Sequence, residues 1–297
     1  MLALAVPARA WDSRTHRLIT RLAIAAMPSS EFKTFLERNE KLLERYSVEP
    51  DSKLKKLYGE AEKRRHYIDA DHYGPNPFSQ LNPSLSATEA RFGAANVERW
   101  GTLPWTIEEF ADQLGQQLSN EAGGGDDARG CEAILMLAGY LSHYVGDSTQ
   151  PLHATSHFDG FHQDRGVHRR IEAATDNEVG RLETMARPES ETHAIDSVWN
   201  ATIAELRHSH GLVTQLIEGD RAARAQSHGG VDSYDSEFME RDGPMIAGQI
   251  ARGAALLASI WLYEWEHAGR PVMCQTWVRP RRLRHHHMSV FTAPGAF

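Results

Sequence analysis

The sequence predicts an all-α fold of many helices, and two observations support this. Apolar residues recur at steps of three and four along most of the 297-residue chain, which is the spacing of one helix face. Alternation of apolar and polar residues, the pattern of a half-buried strand, appears nowhere at useful length. The length allows one large domain or two small ones, and we expect one.

Helix boundaries are predicted from capping and breaking residues. The first helix, Ser13 to Ala26, follows the capping type Asp12 and ends before Pro28. Loops are predicted at GPNPFSQLNPSLS and at the glycine-rich run 123–127. The other predicted helices are Glu31 to Tyr46, Ser52 to Arg65, Thr88 to Trp100, Thr106 to Leu118, Glu132 to Val145, Val167 to Thr184, Thr192 to Ile217 and Ser236 to Glu266.

The two ends of the chain differ from its middle. An A-x-A arrangement, Ala8 to Ala10, follows a short apolar run, so residues 1–10 are predicted to be the remnant of a truncated signal peptide, with a frayed terminus as the alternative. Cleavage there would make Trp11 the mature N-terminus. Residues 11–268 are then the helical domain, and 269–297 a basic tail of unknown order in which His285 to His287 are expected to be inert.

Composition narrows the possible functions. The net charge of −8 argues against a broad basic face for nucleic acid. Beyond residue 10 we expect no apolar run near the ~20 residues of a membrane span.

Cys131 and Cys274 could pair outside the cell, but Cys131 also suits a buried helix position. GxSxG, a phosphate-binding glycine loop and HExxH are absent, so histidine and acidic side chains must carry any chemistry.

The segment LSHYVGDSTQPLH concentrates polar residues within an apolar helix. His143 and Asp147 are four residues apart, so their side chains project from the same helix face. His153 follows where Pro151 ends the helix. Zinc binds imidazole nitrogen and carboxylate oxygen, although a histidine paired with its helical neighbour is the simpler interpretation of one such pair.

Further candidates repeat this chemistry along the chain. His168 and Glu172 have the same four-residue spacing and could complete a second site with His153. A free N-terminal residue can chelate a cation through its amine and carbonyl oxygen, which gives Trp11 a possible role. The whole candidate set comprises Trp11, His16, Asp51, His66, His143, Asp147, His153, His168 and Glu172.

This ordered set resembles the ligand set of the zinc-dependent phospholipase C and S1/P1 nuclease superfamily, whose members are all-α and hold three zinc ions. The resemblance implies a single multi-helix domain with Zn²⁺ as cofactor. By position, it implies a first zinc at Asp51, His66, His143 and Asp147, a second at His153, His168 and Glu172, and a third at Trp11 and His16 with Asp147 shared. Asp51 could also steer or deprotonate the attacking water.

The sequence resembles both branches of this superfamily in part. The phospholipases have a similarly short sequence interval between the residues at the positions of His153 and His168, followed by the same HxxxE pattern. The interval from Asp51 to His66 instead resembles that of the nucleases. In the nucleases, residues at the positions of Tyr67 and Asp69 bind a base. Here a tyrosine packed on its helix and a solvated carboxylate are equally reasonable.

We therefore expect an exported, secreted or periplasmic, zinc-dependent phosphodiester hydrolase resembling phospholipase C. The alternatives are a single-strand nuclease on the same cluster and a non-catalytic zinc-stabilised binding protein. Expected partners are phospholipid or single-stranded nucleic acid as substrate and a transient contact with a membrane surface, with no stable protein partner implied.

Overall fold

A computed structural model describes residues 11–121, 128–186 and 192–274. These residues form helices and turns without any strand, which confirms the all-α prediction. The α-helices in these ranges are α1 (Ser13–Ala26), α2 (Glu31–Arg38), α3 (Glu40–Tyr46), α4 (Lys55–Tyr58), α5 (Glu60–Lys63), α6 (Leu85–Phe92), α7 (Ala94–Trp100), α8 (Leu103–Glu121), α9 (Ala128–Ser148), α10 (Val167–Asn177), α11 (Val179–Ala186), α12 (Val198–Gly211), α13 (Val213–Gln226) and α14 (Val231–His267).

Short irregular turns join several of these helices. A π-helical turn covers Pro50–Leu54, and 3₁₀ turns cover Arg64–His66, Ala70–Tyr73, Pro77–Ser79, Pro151–Ala154 and His162–Asp164.

Several helices predicted as continuous are interrupted in the structure. Gly59 and Gly93 have φ angles of 59° and 87°, a left-handed region that glycine adopts without steric cost and a helix interior does not use. The remaining breaks fall at Asn39, Glu178 and Leu212. The sequence pattern did not reveal these breaks, because a change of backbone direction at one residue leaves the spacing of apolar residues in the sequence unchanged.

Helix α14 forms the centre of the bundle. It packs against α1, α8, α9, α10, α11, α12 and α13, and its side chains Phe238 and Trp261 are fully buried. Within the described ranges, Ser233–His267 is the one stretch long and apolar enough to cross a membrane by length and composition, which corrects the expectation that no such run exists. Its most apolar window is 78% buried, as in a core helix.

A disulfide joins Cys131 in α9 to Cys274, 143 residues later, with the two Cα atoms 6.3 Å apart. It brings the first residues of the predicted tail onto the core, where Met273 is buried and Trp265 Nε1 donates a hydrogen bond to the Pro271 carbonyl. Residues 1–10 and 275–297, with the predicted signal remnant and His285 to His287, lie outside the described residues.

Candidate metal centre

Apart from Trp11, the candidate ligands come from six separate parts of the fold. Helix α1 carries His16, α9 carries His143 and Asp147, and α10 carries His168 and Glu172. The remaining three lie in the short turns, namely Asp51, His66 and His153. Direct packing of α1 against α9 and α10 brings these elements together.

The structure places these side chains in three adjoining groups whose ligand atoms lie within 4.8 Å of one another inside each group. All eight residues belong to one of these groups, and His143 belongs to two of them. The groups are His16 with His143 and Asp147, Asp51 with His66 and His143, and His153 with His168 and Glu172.

Backbone carbonyl groups fix the orientation of two of the imidazoles. His143 Nδ1 donates to the Ser47 carbonyl oxygen at 2.8 Å, and His153 Nδ1 donates to the His66 carbonyl oxygen at 2.6 Å. In each ring the other nitrogen, Nε2, is thereby left as the lone-pair donor facing the cluster. This outer hydrogen bond is the usual support of a metal-binding histidine.

Ring nitrogens inside the cluster point at one another. His143 Nε2 lies 3.0 Å from His66 Nδ1, and His153 Nε2 lies 3.2 Å from His168 Nε2. Burial is the largest cause that lowers the pKa values of His66, His143 and His153, the last to about 3. Neutral imidazoles with converging lone pairs suit a shared cation, so the residues fit bound zinc.

Asp147 lies fully buried between two of the groups. Its Oδ2 is 2.9 Å from His66 Nδ1 and 3.5 Å from His143 Nε2. Its Oδ1 has no hydrogen-bond partner and lies 3.5 Å from His16 Nε2. Burial first, and the Asp51 carboxylate second, raise the pKa of Asp147 well above its ordinary value. A metal cation would offset that desolvation cost.

His16 has neither ring nitrogen in a hydrogen bond, although the residue is 1% exposed. Its ring stacks on His143 with centroids 4.0 Å apart. A Cβ added at Gly146 would lie 2.9 Å from His16 Nδ1, so glycine at this position permits the close approach of α9 to α1. Two orphaned nitrogens on a buried ring are costly without a ligand, and they fit a metal.

On α10, His168 Nε2 lies 2.5 Å from Glu172 Oε1, as the four-residue spacing predicted. Burial, followed by the charge of Asp51, raises the pKa of Glu172 well above its usual range. The pair therefore provides one nitrogen and one oxygen ligand from largely buried side chains.

Asp51 differs from the other carboxylates because it retains some exposure, at 13% of its side chain. Its Oδ1 lies 3.7 Å from both His66 Nδ1 and His143 Nε2, and it accepts a close contact from Lys55 Nζ, one helical turn later. Burial is the largest single influence and opposes ionisation, but Lys55, His66 and His16 together outweigh it, so the pKa of Asp51 falls to about 2. Asp51 is therefore the ionised carboxylate nearest to solvent among these ligands.

Two supporting residues were missed by the sequence analysis. Lys55 is one, and Glu62 is the other: Glu62 Oε1 lies 3.3 Å from His66 Nε2 and accepts a hydrogen bond from the Tyr144 hydroxyl. Glu62 is 2% exposed, so it orients the His66 ring from behind. The spacing of four residues in both pairs was the available signal.

The predicted base-binding residues lie beside the cluster. The Tyr67 hydroxyl donates to the Arg99 carbonyl oxygen at 3.2 Å, and the Tyr67 ring abuts Gly101, so this ring is held by packing. Burial and the nearby Asp71 carboxylate raise the pKa of Asp69 to about 7. Asp69 is half-buried, which differs from the solvated carboxylate of one alternative, and its role in base binding remains a prediction.

Trp11 is fully buried and immediately precedes the helix that carries His16. Its indole Nε1 has no hydrogen-bond partner in the described part of the chain. The proximity of Trp11 to α1 agrees with the predicted pairing of Trp11 and His16, which remains a prediction.

The fold and the cluster define an all-helical protein with a buried histidine and carboxylate centre suited to zinc. The sequence model of the zinc-dependent phospholipase C family matches residues 15–210, a range that contains every candidate ligand except Trp11. Because this match covers more than half of the chain, the protein belongs to that family. The resemblance found in the sequence is thus confirmed.

Among solved structures, alpha toxin from Clostridium absonum is similar to this chain, with 15% sequence identity and a TM-score of 0.48. The match covers 87% of this chain and 65% of that chain. No curated protein matches the sequence.

Proposed function

We propose that this protein is a phospholipase C, a zinc-dependent phosphodiester hydrolase that releases the phosphorylated head group of a phospholipid. The observation that carries this proposal is the set of three adjoining ligand groups, all of whose residues lie in the segment that matches the family. Structural zinc is closed by protein ligands, whereas nine proposed ligands for three ions, one of them shared, leave coordination positions open for water, as a catalytic centre does.

The proposed ligands follow the predicted assignment, with three zinc ions as the cofactor. Asp51, His66, His143 and Asp147 would hold the first ion and His153, His168 and Glu172 the second. The third ion would be held by Trp11 and His16, with Asp147 shared between it and the first.

Bound zinc would supply Lewis-acid stabilisation of phosphate oxygens and a water of lowered pKa. The protein's own contribution lies in Asp51. Its carboxylate is ionised and partly exposed, so it can orient an attacking water by accepting a hydrogen bond, whereas Asp147 is enclosed. We assign Asp51 the catalytic role and the other carboxylates metal binding.

The proposal is tested by a side-by-side hydrolysis assay on phospholipid vesicles and on single-stranded DNA, with zinc present, removed by a chelator and restored. We expect zinc-dependent release of phosphorylated head group with the DNA left intact. His168→Ala should abolish this release, and His208→Ala, which alters an exposed histidine of α12, should not.

The other outcomes of this assay decide between the alternatives. Cleavage of DNA with intact lipid would favour the nuclease and a base-binding role for Tyr67 and Asp69. Hydrolysis of neither substrate by fully zinc-loaded protein would favour a binding protein whose zinc is structural.

We also propose that the protein is exported and that residues 11–268 form its catalytic domain. The disulfide between Cys131 and Cys274 supports export, because such bonds persist in secreted and periplasmic proteins and are rare in the cytosol. The proposed substrate is phospholipid, met at a membrane surface, with no stable protein partner required.

A further inference from the structure

The segment between His153 and His168 exposes two aromatic side chains. Phe158 and Phe161 are each 48% exposed, whereas other phenylalanines of the described chain, such as Phe110 and Phe238, are buried. We name residues 156–166 the phenylalanine loop. Two large apolar side chains exposed on one short loop are a feature of interaction surfaces.

A partly buried ionic contact holds this loop in place. Asp164 is fully buried, accepts the Phe161 backbone N–H at 3.0 Å, and receives Arg221 Nε and Nη2 at 2.7 Å each. Asp159 Oδ1 accepts the backbone N–H of Gly166 at 2.8 Å. The loop is thus fixed at its middle and its end, and the exposure of its phenylalanines follows from a defined backbone path.

The loop borders the metal centre. The ring centroid of Phe158 lies 6.2 Å from that of His168, a member of one ligand group. The tilted rings of Phe161 and His157 have centroids 4.7 Å apart, and the Arg221 guanidinium lies 6.0 Å from the Phe161 ring centroid. A surface bound by this loop would therefore lie next to the cluster.

Cationic side chains accompany the aromatic pair. Arg165, within the loop, and Arg169, just after it, are both exposed. Exposed aromatic rings beside arginine are the combination that binds a lipid interface, because the rings enter the acyl boundary while the guanidinium groups meet phosphate.

We propose that the phenylalanine loop docks this protein on a phospholipid bilayer by inserting Phe158 and Phe161. The docking presents the adjoining metal centre to the lipid head groups. This docking proposal rests on the proposed function, because docking would serve the hydrolysis of lipid, but binding to lipid can be measured separately from catalysis.

The test measures how much zinc-loaded protein sediments with phospholipid vesicles. The vesicles are made of phosphonate analogues of phosphatidylcholine and phosphatidylglycerol, in which a methylene group replaces the scissile ester oxygen. We expect Phe161→Ser to weaken vesicle binding about three- to tenfold, the effect of losing part of one buried aromatic side chain. Val231→Ser removes a comparably exposed apolar side chain, 64% exposed, at the start of α14 and should leave binding unchanged.

A second measurement uses Phe161→Trp and vesicles whose lipids carry bromine on the acyl chains. Quenching of tryptophan emission beyond that of the unmodified protein would place residue 161 within the bilayer. Equal quenching, or equal vesicle binding by Phe161→Ser and the unmodified protein, would overturn the proposal.

Hydrolysis of a short-chain phosphatidylcholine below its micelle concentration separates the two proposals. We expect Phe161→Ser to hydrolyse this monomeric substrate at the unmodified rate and natural-lipid vesicles more slowly. If the unmodified protein hydrolyses neither form, the proposed function fails, whereas the sedimentation and quenching results still decide the docking proposal.

Discussion

Asp147 Oδ2 lies 2.9 Å from Nδ1 of His66, in a site where Asp147 is fully buried. Because its other oxygen faces His16, one carboxylate connects the ligands of the first proposed ion with those of the third. Loss of this side chain should therefore disturb two metal positions, whereas most other ligands serve one.

We predict that Asp147→Ala lowers hydrolytic activity more than any other single ligand substitution. The loss should be at least about 100-fold, because removing a residue that merely supports a ligand already costs about 10- to 100-fold. Elemental analysis should show fewer zinc ions per protein. Asp196→Ala, at an exposed position, is the control. Full zinc content and rate in Asp147→Ala would contradict the sharing of this carboxylate.

The proposed role of Trp11 predicts sensitivity to the N-terminus. A protein that starts at Trp11 has a free α-amine next to the carbonyl oxygen, whereas one added residue converts that amine into an amide that binds metal poorly. We expect the extended form to bind one zinc ion fewer and to hydrolyse lipid more slowly. Equal zinc content and rate in the two forms would remove Trp11 from the ligand set.

Helical spacing explains how much of the centre could be predicted from the sequence. His168 and Glu172 are four residues apart on one helix, so local geometry alone brings them together, and the same holds for His143 and Asp147. The all-α fold was predictable for the same reason, because apolar periodicity is local.

Other features depend on tertiary packing. Gly59 divides a predicted helix into two short helices, and periodicity could not show this because a break at one residue leaves the spacing of apolar residues in the sequence unchanged. The four-residue spacing could indicate Glu62 as a neighbour of His66, but only the structure shows the His66 ring lying between Glu62 and Asp147. Exposure of Phe158 likewise results from the distant ion pair that fixes its loop.

Lys55 provides a test of how Asp51 is held. We predict that Lys55→Met lowers kcat about tenfold, because the carboxylate loses a charge-assisted contact that fixes its orientation, and that zinc content is unchanged. Lys55→Arg should restore part of the rate. Lys56→Met removes an exposed neighbouring charge and should have no effect; equal losses from both methionine variants would indicate a general charge effect instead.

Glu62 is expected to support His66 rather than to bind metal itself. We predict that Glu62→Ala weakens zinc affinity about 10- to 100-fold, the usual effect of removing a residue behind a histidine ligand, measured by competition with a chelator. Glu60→Ala, in the same short helix but exposed, is the matched control. Unchanged zinc affinity in Glu62→Ala would show that His66 needs no support from Glu62.

A cluster of acidic residues away from the metal centre predicts how stability depends on pH. Burial and the neighbouring carboxylates Asp112 and Glu108 raise the pKa of Glu264 in α14 to about 7, above the ordinary value near 4.5. The folded state therefore binds more protons than the unfolded state between these pH values, and stability falls as pH rises through this range.

Glu264→Gln should weaken this dependence, because the amide carries no charge at any pH in the range, whereas Glu108 and Asp112, whose pKa values burial also raises, still titrate. We expect the variant to gain about 1–2 kcal/mol relative to the unmodified protein between pH 5 and pH 8, after allowance for solvent screening, measured by denaturant unfolding at both pH values. Glu240→Gln, at an exposed position of the same helix, should show no such gain. A Glu264→Gln variant with an unchanged pH dependence would mean that Glu264 titrates normally in the folded protein.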